Sequence, residues 1–159
     1  MGVNRFKKDI KIFLAVLLFS IILYATVQWY DVYIYRFYRI DEFLNWHIGL
    51  EGLSIVMSFC IFFISFYTMQ RNKNLRTTIF LITFLAVGLL DSMHALTYKG
   101  MPGFLSNSSV STAASYWIAA RMTAAVGLTV AALAKRNYTV KFHRFIFVLV
   151  SLLYSLIVI

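Results

Sequence analysis

Thr77-Thr78-Ile79-Phe80-Leu81-Ile82-Thr83-Phe84-Leu85-Ala86-Val87-Gly88-Leu89-Leu90-Asp91-Ser92-Met93-His94-Ala95-Leu96-Thr97-Tyr98 is the stretch on which the fold turns. A run of about 20 residues at 1.5 Å each covers the roughly 30 Å hydrocarbon core of a bilayer. Lipid offers no partners to backbone N–H and C=O groups, so such a run crosses as a helix. Yet this one carries Asp91 and His94. An ionisable side chain inside a span costs about 2.5 to 3.5 kcal/mol or more, and usually faces a bundle interior where it marks a ligand, ion or proton site. The stretch therefore predicts a helix packed among other helices.

Working outward, comparable apolar runs occupy about Ile10 to Tyr30, Trp46 to Met69, Ala113 to Ala134 and Phe145 to Ile159. With 77–98 they predict an all-α polytopic transmembrane bundle of five spans, read as one membrane-embedded domain over residues 1–159. The composition agrees: 61% hydrophobic, 13% charged and a mean hydropathy of +0.78 exclude a water-soluble domain of this length. The first run is too long for a signal-peptide core and no small-residue cleavage site follows it. The last run stops at Ile159 without a polar cap or basic flank, which predicts a fragment of a longer chain.

Orientation follows from the short loops. Arg5, Lys7, Lys8 and Lys11, then Arg71, Lys73 and Arg76, then Lys135, Arg136, Lys141 and Arg144 fall on one side, against Arg36, Arg39 and Lys99 on the other. The N-terminus is expected in the cytoplasm. The net charge of +9 is mostly this topology signal, with some attraction for anionic headgroups, and points to no nucleic-acid partner. Cys60 stands alone in mid-helix, which excludes a disulfide framework and a cysteine-based metal site. The glycosylation patterns at Asn107 and Asn137 are of a kind common by chance, and Phe6 spoils the myristoylation pattern after Met1.

The polar residues agree in depth. Counted from the expected outer surface, Glu51 lies about 8 Å down, Asp91 about 10 Å, His94 about 6 Å and Arg121 about 12 Å, with His47 at the rim. They also agree in facing. His47 and Glu51 are i and i+4; Asp91, His94 and Tyr98 are i, i+3 and i+7; Trp117 and Arg121 are i and i+4, so each set shares one helix face. Gly49, Gly52, Gly88 and the alanines 113, 114, 120, 124 and 125 would allow close helix packing around them. One outer-leaflet site for ligand binding or sensing is expected, built from His47, Glu51, Asp91, His94, Tyr98, Trp117 and Arg121.

Charge balance poses the chemical question. Arg121 stays protonated, so ionised Glu51 and Asp91 leave one negative charge over. A raised carboxyl pKa, a protonated His47 or His94, or a bound cation would remove it, which corresponds to a structural network, a proton sensor, or a metal or cofactor site. The metal candidates are His47, His94, Glu51 and Asp91, a nitrogen and oxygen set that zinc accepts; haem would use the two histidines as axial ligands. Arg121 beside these ligands would repel a cation unless paired with a carboxylate, so a metal-free site is expected ahead of both. Above the cluster, Tyr98-Lys99-Gly100-Met101-Pro102-Gly103-Phe104 reads as a helix end and a fixed turn, a lid, with Gly100 just past the last helical residue. Ser109 or Ser111 is expected to cap the next helix, and the aromatic segment from Asp31 to Trp46 to lie among the headgroups.

Three motifs carry a family likeness: His47-Ile48-Gly49-Leu50-Glu51, then Leu90-Asp91-Ser92-Met93-His94-Ala95-Leu96-Thr97-Tyr98-Lys99-Gly100-Met101-Pro102, then Trp117-Ile118-Ala119-Ala120-Arg121. Over roughly Asp41 to Leu133 the chain resembles the membrane-associated sensor domain of the third type. The resemblance implies a bacterial multi-span input module in the cell membrane, followed in cis by a histidine kinase, PAS or diguanylate cyclase module, and fixes no ligand.

Other classes fit less well. A membrane metallohydrolase would want a third histidine ligand, and His143 falls among Lys141 and Arg144 on the opposite side. A transporter fragment would want an internal repeat and interrupted helices near the midplane, which the sequence does not show. The expected function is a non-enzymatic sensor input domain responding to a small molecule, a lipid such as a quinone, or protons, with the bilayer, an output module and a second copy of the chain as candidate partners. Binding would act by favouring one packing of the helices.

Overall fold

A computed structural model describes residues 2–30, 33, 40–98, 110–134 and 138–159, the side chains of 2–9 and 40–43 excepted. Among them five helices follow in chain order: α1 (Gly2–Trp29), α2 (Ile40–Arg71), α3 (Leu75–Thr97), α4 (Val110–Leu133) and α5 (Arg144–Val158). Four contain apolar windows long enough to cross a membrane, and α5 is a shorter apolar helix. The fold is an all-α membrane bundle.

The chain divides into two compact units, Met1–Phe43 and Leu44–Ile159. In the first, α1 exposes large apolar side chains all round, Phe13 and Phe19 among them. Such a helix is stable where lipid is the solvent.

In the second unit α3 is the central helix. Half of its span, 50%, is buried, against 17% for α2 and 11% for α4. Its backbone comes closest to α4 and α5, and the sequence explains why. Ala113, Ala120 and Ala131 are the buried residues of α4, and small side chains let membrane helices approach. Ser151 and Ser155 are the buried residues of α5. Ser151 donates to the Ile82 carbonyl of α3 at 2.9 Å and Ser155 to the Ser151 carbonyl at 2.9 Å. Against α2 the packing is made of larger side chains: Phe62 and Met69 bury with Leu81 and Leu85, surrounded by Phe59, Phe66, Phe84 and Phe147.

The N-terminal end of α3 is closed by hydrogen bonds. Asn74 caps the helix, its side chain accepting from the Arg76 N–H at 2.9 Å. An isolated antiparallel bridge joins Asn74 to Thr139, with Leu75 N–H donating to Tyr138 O at 2.9 Å and Val140 N–H to Lys73 O at 2.8 Å. Arg76 reaches across to α4, its Nε donating to the Ala134 carbonyl at 3.0 Å and its Nη2 to that of Ala132 at 3.5 Å. The last turn of a helix leaves carbonyls unsatisfied and carries partial negative charge, so a guanidinium there is doubly favourable.

Several local expectations change. The helices run past the apolar runs at some ends, α2 reaching from Ile40 to Arg71. α4 already starts at Val110, so Ser111 sits inside its first turn, where its carbonyl accepts from Ser115 Oγ at 3.0 Å. Ser109 lies outside the described residues. α3 ends at Thr97 with Tyr98 extended, φ −64° and ψ 139°, short of the glycine expected to stop it. The lid residues Lys99, Gly100, Met101 and Pro102 lie outside the described residues, as does most of the aromatic segment before Trp46. Finally, Gly49 and Gly52 are not points of close approach: a Cβ there would meet nothing within 4 Å among the described residues. Gly88 is one, with the Phe59 ring 3.2 Å from where its Cβ would lie, and Gly127, unremarked in the sequence, is another, against the Thr83 side chain.

Candidate functional site

Every Cα–Cβ bond on a helix tilts toward the N-terminus. On α2 and α4, Glu51, Ser54 and Arg121 therefore lean toward the end of the bundle where α3 finishes. On the antiparallel α3, Asp91 and His94 lean the other way. The side chains meet in two adjoining groups.

The deeper group is built on Asp91, which is fully buried. Its Oδ2 accepts from Arg121 Nη2 of α4 and from Ser54 Oγ of α2 at 3.5 Å. The Arg121 guanidinium lies 6.0 Å from the Trp117 ring one turn earlier, at the limit of a cation–π contact. With Ser54, this pair ties three helices together at one carboxylate. Asp91 Oδ1 and Arg121 Nε have no hydrogen-bond partner among the described residues.

The second group is one turn further along α3. His94 is buried, 5% exposed, and its Nδ1 lies 2.7 Å from the Ala113 carbonyl of α4. A carbonyl oxygen only accepts, so Nδ1 carries the proton and donates it. The other ring nitrogen, Nε2, faces Glu51 Oε1 of α2 at 3.8 Å and makes no hydrogen bond among the described residues. His47 completes the group, its ring 5.8 Å from that of His94 and nearly perpendicular to it. Tyr98 packs 4.3 Å from the His47 ring and 5.9 Å from His94. One potential ligand atom each from His47, Glu51 and His94 lie within 4.8 Å of one another.

The structure thus divides the seven expected site residues by partner. Glu51, His47, His94 and Tyr98 gather in one group, and Asp91, Arg121 and Trp117 in the other. Asp91 is turned to Arg121 and stands apart from the possible ligand cluster. Ser54 and the Ala113 carbonyl belong to the site and were not singled out in the sequence. Ser54 shares a face with Glu51 at i+3, a usable signal, whereas a backbone carbonyl gives none. His143 precedes α5 and stacks on Phe145 at 5.2 Å, at the opposite end of the bundle.

Apolar membrane helices closed around a buried polar cluster define an integral membrane protein with an internal polar site. Residues 38–159 match the model of the MASE3 family, described as a membrane-associated sensor domain, and the chain belongs to that family. No curated protein and no solved structure matches it significantly. The protein is therefore a multi-pass membrane sensor domain, and the match extends beyond the stretch from Asp41 to Leu133 that carries the recognisable motifs.

Proposed function

We propose that residues 1–159 act as one input domain of a bacterial signalling protein, with the N-terminus in the cytoplasm and the polar cluster in the outer leaflet. The site of sensing is the double group of His47, Glu51, His94 and Tyr98 beside Asp91, Arg121 and Trp117. It is a binding site without catalysis of its own. Its output passes along α3 and α5 to a cytoplasmic kinase, PAS or diguanylate cyclase module in cis.

The observation that carries this reading is the fully buried Asp91, paired across helices with Arg121 and Ser54 while its Oδ1 has no hydrogen-bond partner among the described residues. Buried polar groups without partners are costly, and a cluster that keeps several is suited to an occupant that completes it. Because the cluster spans α2, α3 and α4, an occupant that prefers one spacing of the helices shifts their packing by its differential affinity.

The test uses the full chain in membranes, with Cys60 replaced by Ala. Cysteines introduced at Gln70 and Arg144, whose side chains meet near the N-terminal ends of α3 and α5, should cross-link at a rate that changes when Glu51→Gln or His94→Ala perturbs the distant cluster. Equal rates in all three backgrounds would remove the coupling on which sensing depends. A single cysteine at Lys73 should be labelled only from the cytoplasm, and labelling from outside would reverse the orientation.

A further inference from the structure

We propose that His47, Glu51 and His94 form a binding site for a divalent transition-metal ion of the zinc class. This occupant belongs to the sensing site proposed above and rests on that reading.

The tautomer of His94 points to it first. With Nδ1–H committed to the Ala113 carbonyl at 2.7 Å, a neutral ring directs the lone pair of Nε2 at the Glu51 carboxylate 3.8 Å away. Two electron-rich atoms facing each other in a buried place repel unless something positive lies between them. A histidine that donates one ring N–H to a backbone carbonyl and offers the other nitrogen is how proteins prepare a metal ligand, because the outer hydrogen bond fixes both tautomer and ring orientation. His94 is 5% exposed, and burial raises the cost of leaving the two atoms unbridged.

Geometry and charge point the same way. Zinc–nitrogen and zinc–oxygen bonds of about 2.0 to 2.2 Å place neighbouring ligand atoms roughly 3 to 4 Å apart. The three ligand atoms lie within 4.8 Å of one another, so a small side-chain adjustment closes them on one ion. Two imidazoles and a carboxylate suit zinc and its neighbours, whereas magnesium and calcium want oxygen throughout. The objection raised by Arg121 falls away, because its charge is matched by Asp91 and the unbalanced carboxylate is Glu51. Three protein ligands leave a fourth position, where water, hydroxide or another anion completes the coordination.

The experiment is metal titration of the full chain, purified in detergent after chelator treatment, with zinc, cobalt, magnesium and calcium as probes. Wild type should bind one zinc ion per chain, melt at a higher temperature when zinc is added, and give the visible absorption of nitrogen-ligated cobalt. His94→Ala and Glu51→Gln should each weaken zinc binding by at least about 100-fold, beyond the loss typical of outer-shell partners. Glu51→Asp, which keeps a carboxylate, should bind measurably and covers the case in which His94→Ala does not fold. His143→Ala should bind as wild type does. Zinc binding unchanged in Glu51→Gln, binding lost only in His143→Ala, equal binding of magnesium or calcium, or no binding at all would each overturn the proposal. The two readings fail separately. Without zinc binding, a cross-linking rate that still responds to Glu51→Gln keeps the sensor and removes the metal; zinc binding with an unresponsive rate does the reverse.

Discussion

The two ends of α3 solve the same problem in opposite ways. At the N-terminal end polar groups are matched: Asn74 caps the helix, Arg76 holds the last carbonyls of α4, and a backbone bridge joins the neighbouring loops. Arg144 accompanies them, its guanidinium 4.2 Å from the Phe66 ring; its Nε has no hydrogen-bond partner among the described residues. The helix–helix contacts here are tight, Thr83 against Gly127 and Ser151 against the Ile82 carbonyl. At the C-terminal end, among the described residues, Asp91 Oδ1, His94 Nε2 and Arg121 Nε have no hydrogen-bond partner, and Gly49 and Gly52 have no neighbour within 4 Å of a would-be Cβ. A matched end has little to gain from an occupant. An unmatched end has free energy to gain from an occupant, so on the proposed function one end fixes the bundle and the other responds.

The largest effect should come from unbalancing the responsive end. Arg121→Ala leaves the fully buried Asp91 carboxylate without its cation; breaking a buried pair from one side costs about 3 to 5 kcal/mol, and the 40% exposed Arg121 side chain places this pair at the lower end. Thermal or denaturant unfolding in detergent should show it, as a larger fall in melting temperature than either Gly127→Ala or Arg76→Gln produces. Asp91→Asn with Arg121→Gln removes both charges and should recover most of the loss. A single variant as stable as wild type would mean that the guanidinium is held elsewhere, and the contrast between the ends would disappear.

The next effect lies in the matched end. A Cβ at Gly127 would lie 2.8 Å from the Thr83 Cβ, and overpacking of this kind costs about 1 to 3 kcal/mol, offset by the roughly 1 kcal/mol that alanine gains over glycine in a helix. Gly127→Ala should therefore destabilise, and adding Thr83→Ala, which removes the closer Oγ1 and Cγ2 atoms but keeps the Cβ, should recover only part of the loss. A smaller loss of about 1 kcal/mol is expected for Arg76→Gln, which gives up hydrogen bonds to the Ala134 and Ala132 carbonyls. It should leave zinc binding untouched, since Arg76 and the cluster are at opposite ends of α3. Weakened zinc binding in Arg76→Gln would show that the ends are not independent.

How far these features could be read without coordinates depends on what kind of information each carries. Helices follow from apolar run length because lipid leaves the backbone no other choice. Their ends do not, since hydropathy tracks the membrane boundary while the helix continues into polar residues, as α2 does at both ends. A carboxylate partner for Arg121 is implied by depth, about 12 Å against about 8 Å for Glu51 and 10 Å for Asp91, but which of the two it takes is not. The split into two groups is not implied either, because it depends on the Ala113 carbonyl holding the His94 ring with Nε2 toward Glu51. Glycines mislead most. Gly49, Gly52, Gly88 and Gly127 look alike in sequence, and only the position of the neighbouring helix decides which of them is crowded.

The smallest predicted effect belongs to one of these glycines. Gly49 lies on α2 between His47 and Glu51, so a role in shaping the cluster is easy to assume from sequence. The structure gives it an exposed position with no described atom within 4 Å of a would-be Cβ. Gly49→Ala should thus leave the side chains of the cluster where they are. Substitutions away from packed features usually change stability by less than about 0.5 kcal/mol, and the better helix propensity of alanine acts in the favourable direction. Unfolding should be unchanged or slightly delayed, and zinc affinity the same as in wild type. A clear loss of stability or binding would mean that something covers this face in the membrane: a segment outside the described residues or a second copy of the chain. The unmatched end would then be closed by packing rather than by a ligand, and a cross-link from a cysteine at Gly49 would identify the covering group.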